Sequence, residues 1–396
     1  MSAAQIPPLA EAPGPLDGIV VADFSRILAG PYCTMLLADM GATVIKVEGP
    51  GGDDTRSWIP PQREGISTYY MSINRNKSSI KLDLGNEEDL SRAYQIIDRA
   101  DVFVENFKPG GLEKFGLDAE SVAIRWPHII HASITGFGTS AGDSMPGYDL
   151  LAQAMSGMMS LTGAPDADPQ RAGVAVFDVM TGLHTAVAVL GALQARNATG
   201  QGQHVALNLL SSAMSGLVNQ TTGFVAAGNV PMRMGNDHPS LFPYGPLQAA
   251  DRPLVICCGN DLQFNRLASI LGQPHLARQP EFSSMSQRNV HREELRSLLE
   301  EALAKRSADE WFDEFQDAGV PCAPILTVGE GIDFAQRIGL EPVALTGRGD
   351  ARVPTIRHPA VFSRSSIRYD KAPPALDEDR ASVLQWLESS RPRAMA

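Results

Sequence analysis

Apolar positions along the N-terminal third fall in short dense runs separated by amphipathic stretches, a pattern that predicts strands alternating with helices. Gly18-Ile19-Val20-Val21-Ala22-Asp23 has the composition of a strand buried on both faces, and Val44-Ile45-Lys46-Val47-Glu48 is the next one. Between them Met35 to Met40 is helical and stopped by Gly41. A second unit follows: a strand over Ser79–Leu84, a helix over Glu87–Ala100, and a strand over Asp101–Glu105. In that helix Leu90, Ala93, Ile96, Ile97 and Ala100 share one face. A short helix after Asp118 leads to the strand His128–Ser133. Strands alternating with helices imply an α/β fold with a mostly parallel sheet covered on both faces.

Further on, the pattern predicts helices over Leu150–Leu161 and Val179–Arg196, then a turn over Thr199–Gln203 and a strand over His204–Leu209. The pattern changes near Gly223. Ala226–Pro231 reads as a linker, Leu254–Cys258 as a strand, and 262–271, 293–305 and 308–318 as helices. The expected division is a large domain over 1–222, a smaller α+β domain over 223–328, and a return to the large domain over 329–396 with a frayed end from Ser389. The loop Ser25–Pro31 lacks the G-x-G-x-x-G that grips a dinucleotide pyrophosphate. Pro31 suits the first position of the helix that follows. Glu48 is expected to be a solvated strand-end carboxylate rather than a ribose ligand.

Composition narrows the class. Hydrophobic residues at 43% and charged residues at 20% of 396 fit a soluble enzyme with a large core. A net charge of −12 argues against nucleic acid or an anionic membrane as partner. No apolar stretch is expected to span a membrane, and residues 1–16 do not form a secretory leader. Cys33, Cys257, Cys258 and Cys322 do not make a disulfide framework, which suggests a reducing, cytoplasmic setting.

Three chemistries compete. Gly138-Thr139-Ser140-Ala141-Gly142 is a formal G-x-S-x-G, but no helix is predicted directly after it, so the strand–turn–helix of a nucleophile elbow is missing. His128 and His131 stand at odd spacing on one strand and face opposite ways, so no zinc site is expected. Asp178 lies in an apolar run at the start of the long helix. It is either an N-cap or a carboxylate kept ionised by helix amides and able to attack an activated acyl group. The second reading requires a thioester such as an acyl-CoA. Arg75 and Lys77 before one strand, and Lys108 after another, could meet its phosphates.

The ordered set of short motifs resembles the class III CoA-transferase family, which includes formyl-CoA transferase, carnitine CoA-transferase and alpha-methylacyl-CoA racemase relatives. The matching stretches are Leu16-Asp17-Gly18, Asp23–Pro31, Gly41–Glu48, Asn74–Asp83, Val104–Gly110, Gly147-Tyr148-Asp149, Phe177-Asp178 with Gly182, and Thr199–Gln203. They cover most of the chain in family order.

The resemblance implies a Rossmann-like large domain built from both chain ends, a smaller domain, and two subunits interlocked as a homodimer. It implies CoA transfer from an acyl-CoA to a carboxylic acid with Asp178 as nucleophile, through an aspartyl-CoA thioester, with no metal and no bound cofactor besides the CoA substrate. Leu28 and Ala29 would lie beside the reacting acyl group, with Tyr148, Arg233 and His238. Arg75, Lys77, Leu82, Asn106, Phe107 and Lys114 would contact CoA. Lys114 replaces a family arginine, and Gly49 replaces a basic CoA contact of one branch, leaving Arg75 or Arg56 to meet phosphate. Tyr148 stands where racemases carry a histidine base, which favours transfer over 2-methylacyl-CoA racemisation. The segment Arg233–Pro239 would be a closing loop with only Gly235 in it. The substrates expected are succinyl-CoA or a similar donor and a short dicarboxylate such as succinate, glutarate or itaconate, clamped by Arg233 and Arg171. A Ser140 hydrolase and a non-catalytic CoA-binding module are the rival readings outside this chemistry.

Overall fold

A computed structural model describes residues 12–349 and 352–389. The Ala/Pro-rich start and the tail beyond Ser389 lie outside the described residues. The chain divides into two compact units, one reaching up to Met158, resuming over Ala172–Asn229 and again from Glu341, the other comprising Met159–Arg171 and Val230–Leu340. The sequence pattern placed residues 159–171 in the large domain and closed the small one near 328. Neither boundary carries a change of hydrophobic pattern that would have marked it.

The larger unit is built on six parallel strands: β1 (Val20–Asp23), β2 (Thr43–Glu48), β5 (Lys77–Lys81), β6 (Val102–Glu105), β7 (Ile130–Thr135) and β8 (Gln203–Asn208). A two-residue hairpin, β3 (Gln62–Arg63) with β4 (Ile66–Ser67), intervenes. The order is β5-β2-β1-β6-β7-β8, and every neighbouring pair is parallel. The order reverses between β1 and β6, which makes the carboxyl ends of these two strands the topological switch point of a doubly wound sheet.

The helices of this unit are α1 (Ala29–Asp39), α2 (Thr68–Ile73), α3 (Glu87–Arg99), α4 (Ala119–Arg125), α5 (Asp149–Met155), α6 (Met158–Leu161), which runs into the second unit, α7 (Val176–Thr199), α8 (Leu209–Gly216) and α9 (Val218–Ala227). Alternate strand residues serve opposite cores. Val21, Val44, Val102, Val104, Ile130 and Ala132 pack with α1, α7 and α8. Ala22, Ile45, Val47, Ile80 and Phe103 pack with α3 and α4. The long helix predicted over 150–161 is split, because Gly157 adopts φ +93° between α5 and α6. Contrary to the sequence expectation, α7 is long and apolar enough, by length and composition, to cross a bilayer. Its burial of Phe177, Ala186, Val189, Ala192 and Leu193 in the core accounts for that apolarity.

The segment after Lys371 closes the open edge of the sheet. Ser79 N and Lys81 N, on the outer side of β5, donate to Asp379 Oδ2 (2.9 Å) and Asp377 Oδ1 (2.8 Å), and Ser79 O accepts from Asp379 N (3.0 Å). The stretch Pro373–Glu378, unexplained by the sequence, therefore has a structural role.

The second unit has its own core around β9 (Tyr244–Gln248), β10 (Pro253–Cys257) and β11 (Cys322–Pro324), an antiparallel sheet. Helices Asp261–Ile270, Arg292–Leu303 and Ala308–Asp317 contribute Phe264, Leu299, Trp311 and Phe315 to that core.

Candidate active site

The chain leaves β1 at Asp23 and enters α1 through Phe24–Leu28. Asp23 is fully buried, and its carboxylate accepts from Ser25 Oγ (2.5 Å), Thr34 Oγ1 (2.6 Å) and Lys77 Nζ (3.1 Å). A second buried pair lies beside it, with Lys46 Nζ 2.9 Å from Asp53 Oδ2. These partners hold Asp23 and Asp53 below the usual carboxylate range, outweighing the burial that raises them. Gly30 is required where the loop closes, since a Cβ there would sit 2.3 Å from Ser25 Cβ. Pro31 occupies the third helical position rather than the first. Its missing N–H still costs nothing, because none of the first four amides has an intrahelical partner.

α7 approaches α1 closely through Gly182. A Cβ at that position would lie 2.7 Å from Ala29 O and 3.1 Å from the Tyr32 ring, so only glycine permits the contact. Asp178 is four residues earlier on the same helix face.

Asp178 is not the N-cap. That position is Ala175, which supplies no side-chain bond, and Asp178 is the third helical residue. The cap comes from α5 instead. Asp149 Oδ1 accepts from Phe177 N (2.8 Å) and Asp178 N (3.1 Å), while Gln153 Nε2 donates to Asp149 Oδ2 (2.5 Å). Since the Asp149 carboxylate takes the helix amides, the sequence expectation of a carboxylate kept ionised by them is reversed. Burial first, and the neighbouring Asp149 charge second, push Asp178 up to about 7. Among the described residues its carboxylate has no hydrogen-bond partner.

The other predicted residues fall into three groups. Leu28 and Ala29 are buried at the start of α1, while Tyr148 is exposed just before α5. Asn106 and Phe107 follow β6, and Phe107 borders a cavity of 350 Å³ with Lys108, Glu105, His131 and His204. Lys114 is exposed, its Nζ 4.7 Å from the Phe115 ring centroid.

Lys77, Arg75 and Leu82 are buried within the chain. Lys77 is fully buried on Asp23, Pro31 O and Asn74. Arg75 is buried against Asp39, and Leu82 is core. Arg56 is likewise committed, to Glu48, which is buried rather than solvated as expected. Lysines and arginines in a motif look alike whether they face water or a buried acid, so the sequence did not separate the two.

Arg233, His238 and Arg171 belong to the second unit. There Arg233 Nη1 donates to Ser160 O (3.4 Å), while its Nε is buried without a partner. Ser240 N donates to His238 Nδ1 (3.1 Å). Gly235 N donates to Gly163 O (3.0 Å), and Asp237 pairs with Arg292 and Arg296, so the expected closing loop is anchored. Ser140 sits in an exposed turn, and the next helix begins only at Asp149, so no elbow exists there.

Sequence reasoning missed Asp149 as the cap. It also missed Tyr69 on α2, whose hydroxyl is pushed up to about 12 by burial and then by the charges of Asp178, Asp149 and Asp53. Tyr69 therefore stays a protonated donor in the field of both carboxylates. The third miss is a cluster on β6–β8: His131 stacks on Phe103 and lies tilted against His204, ring centroids 4.9 Å apart, with its Nε2 3.7 Å from Glu105. Cross-strand register brings His131 to His204, 73 residues on.

Comparison with known proteins identifies the family. The family model CoA-transferase family III matches residues 16–380. A succinate–glutarate CoA-transferase of Agrobacterium fabrum is 40% identical over 95% of this chain and 96% of its own length. A succinyl-CoA:glutarate CoA-transferase of Mus musculus is 37% identical over 94% and 86% respectively. Among solved structures, a CAIB/BAIF family protein from Brucella suis superposes with a TM-score of 0.87 at 41% identity, covering 95% of this chain and 100% of that one.

Proposed function

This chain belongs to CoA-transferase family III, and we propose that it moves CoA from succinyl-CoA to a short dicarboxylate of about glutarate size, with Asp178 as the nucleophile. The named activities of the relatives supply the substrate class. The observation that carries the mechanism is the Asp178 carboxylate: half-buried, unpartnered, raised to about 7, and one helical turn from the Gly182 contact with Ala29. At neutral pH a large share of it is ionised and more basic than an ordinary aspartate, so it is a better nucleophile toward a thioester carbonyl.

In the proposed sequence the Asp178 oxygen attacks the acyl carbonyl, and the C–S bond breaks to give a mixed anhydride and CoA thiolate. The thiolate attacks the aspartyl carbonyl, releasing the donor acid and leaving an aspartyl-CoA thioester. The acceptor carboxylate displaces the thiolate, which then attacks the acceptor acyl carbon and frees Asp178. The thioester energy is conserved throughout. The protonated Tyr69 hydroxyl is suited to stabilise charge near these carbonyls. Tyr148 in the racemase histidine position supports transfer, since a phenol hydroxyl does not serve as a base toward an α-proton as an imidazole does.

The larger unit reads as Rossmann-like and the protein as a homodimer. Leu183, Val187, Met214, Val218, Phe224 and Val225 on α7–α9 are exposed, and no residue of α9 is buried, which supports a second copy over that face. Interlocked subunits, a cytoplasmic setting consistent with four free thiols, and independence from nucleic acid and membrane complete the reading.

The test is capture of the intermediate. Incubation with succinyl-CoA followed by hydroxylamine should label the peptide carrying Asp178 as its hydroxamate. An unlabelled peptide in an enzyme that still exchanges CoA rejects the nucleophile.

A further inference from the structure

The loop between β1 and α1 carries a strained backbone. Ile27 adopts φ +72°, a left-handed conformation that a β-branched residue rarely takes. Such strain persists only where the surroundings hold it, and two sets of contacts do so here. From below, Lys46 Nζ donates to Ser25 O (3.0 Å), and Ile27 N reaches Asp53 Oδ1 (3.4 Å). Lys46 and Asp53 are themselves a buried ion pair. From across the switch point, Arg26 N donates to Asn106 Oδ1 (2.9 Å), and Asn106 Nδ2 donates to Arg26 O (2.7 Å). Both halves of one side-chain amide thus grip the peptide groups flanking a single residue, as a neighbouring strand would. Asn106 is held in turn, because Phe107 N donates to Glu105 Oε2 (2.8 Å) at the end of β6.

We propose that Asn106 is a positioning residue for CoA transfer. Its amide keeps Arg26, and through it the left-handed Ile27, in the one arrangement that sets the Leu28–Ala29 turn against the Asp178 helix. This rests on the CoA-transfer reading above. It adds to the role the family resemblance implied for Asn106, because one N–H and one oxygen lone pair of its amide are engaged in holding the loop. Two groups of the loop turn toward opposite tasks. The Arg26 side chain points outward to an exposed pair with Asp54, while its backbone is the anchor. Gly182 fixes the far end of the same turn by admitting Ala29 O. The turn is therefore pinned at Arg26 and at Ala29, and Ile27 takes up the difference in direction.

The assignment separates from a coenzyme contact by genetic rescue. Four full-length proteins are compared: wild type, Asn106→Ala, Ile27→Gly, and the double variant. Glycine reaches positive φ without a Cβ penalty, so it supplies by intrinsic preference what Asn106 imposes. Asn106→Ala should lower kcat at least tenfold with succinyl-CoA and glutarate, while the dissociation constant for free CoA, by calorimetry, changes less than threefold. Adding Ile27→Gly should return at least a third of the lost kcat. A CoA dissociation constant weakened tenfold with no recovery from glycine overturns the proposal, as does an unchanged kcat in Asn106→Ala. The clamp can also be read without turnover. Hydrogen exchange at the Arg26 amide should quicken at least tenfold in Asn106→Ala, and unchanged exchange overturns the proposal. Were wild type to transfer no CoA to any dicarboxylate, the proposed function would fail, and this exchange measurement would still decide the role of Asn106.

Discussion

Two neighbouring parts of the larger unit treat buried charge in opposite ways. Under the β1–α1 loop, Asp23, Asp53 and Glu48 each meet at least one cation and several donors, and all three are held below the usual carboxylate range. At the start of α7, the Asp178 carboxylate faces a second carboxylate, gains no hydrogen bond among the described residues, and is raised to about 7. The first arrangement fixes backbone. The second leaves a carboxyl group whose lone pairs are unengaged and whose proton comes and goes near neutral pH, which is what acyl transfer needs. The difference teaches that charge content alone does not locate chemistry; the pairing does.

Breaking the reactive side of this contrast should have the largest effect. Asp178→Asn should lower CoA transfer by at least roughly 10³-fold, measured as exchange of label between succinate and succinyl-CoA. The same variant should be more heat-stable than wild type above pH 7. The sign follows from linkage. A carboxyl raised from about 4 unfolded to about 7 folded favours the fold while protonated, and that stabilisation is lost as pH rises through about 7. The two melting temperatures should therefore converge below about pH 4, and a difference that persists there refutes the assignment.

Breaking the structural side comes next. Lys77→Met leaves Asp23 buried without the cation bonded to it and should cost about 3–5 kcal/mol in urea unfolding. A loss below about 1 kcal/mol would mean that the hydroxyls of Ser25 and Thr34 suffice. A smaller shift should follow from Asp149→Asn, which removes the second cause of the raised Asp178 value but keeps an oxygen for the two amides. The rising limb of kcat/KM against pH should move to lower pH. An unmoved limb would assign the titration to another group. The smallest effect is expected at the exposed Lys114. Lys114→Ala should raise KM for succinyl-CoA about twofold to fivefold, less so at high salt, with kcat unchanged.

How much of this was written in the residues depends on the distance over which the cause acts. Strands β1, β2 and β6 followed from local apolar runs, and α3 followed from the apolar face of Leu90, Ala93, Ile96, Ile97 and Ala100. Asp178 was singled out by its place in an apolar run. Its electrostatics were not, because the decisive partner, Asp149, lies 29 residues away and acts from another helix. Asn106 and Arg26 are 80 residues apart, and only the switch-point topology brings them together. The burial of Lys77 and Arg75 was invisible for the same reason: their acids, Asp23 and Asp39, are remote in sequence. Register, not composition, created the Glu105–His131–His204 group.

The carboxylates of Asp377 and Asp379 occupy backbone donors of β5 that a foreign chain in extended form could otherwise capture. A six-stranded sheet that ends in such a ladder is a template for unlimited lengthening. Here two acidic side chains, supplied late in translation, terminate it. Without these two side chains the larger unit would carry β5 as an open flank.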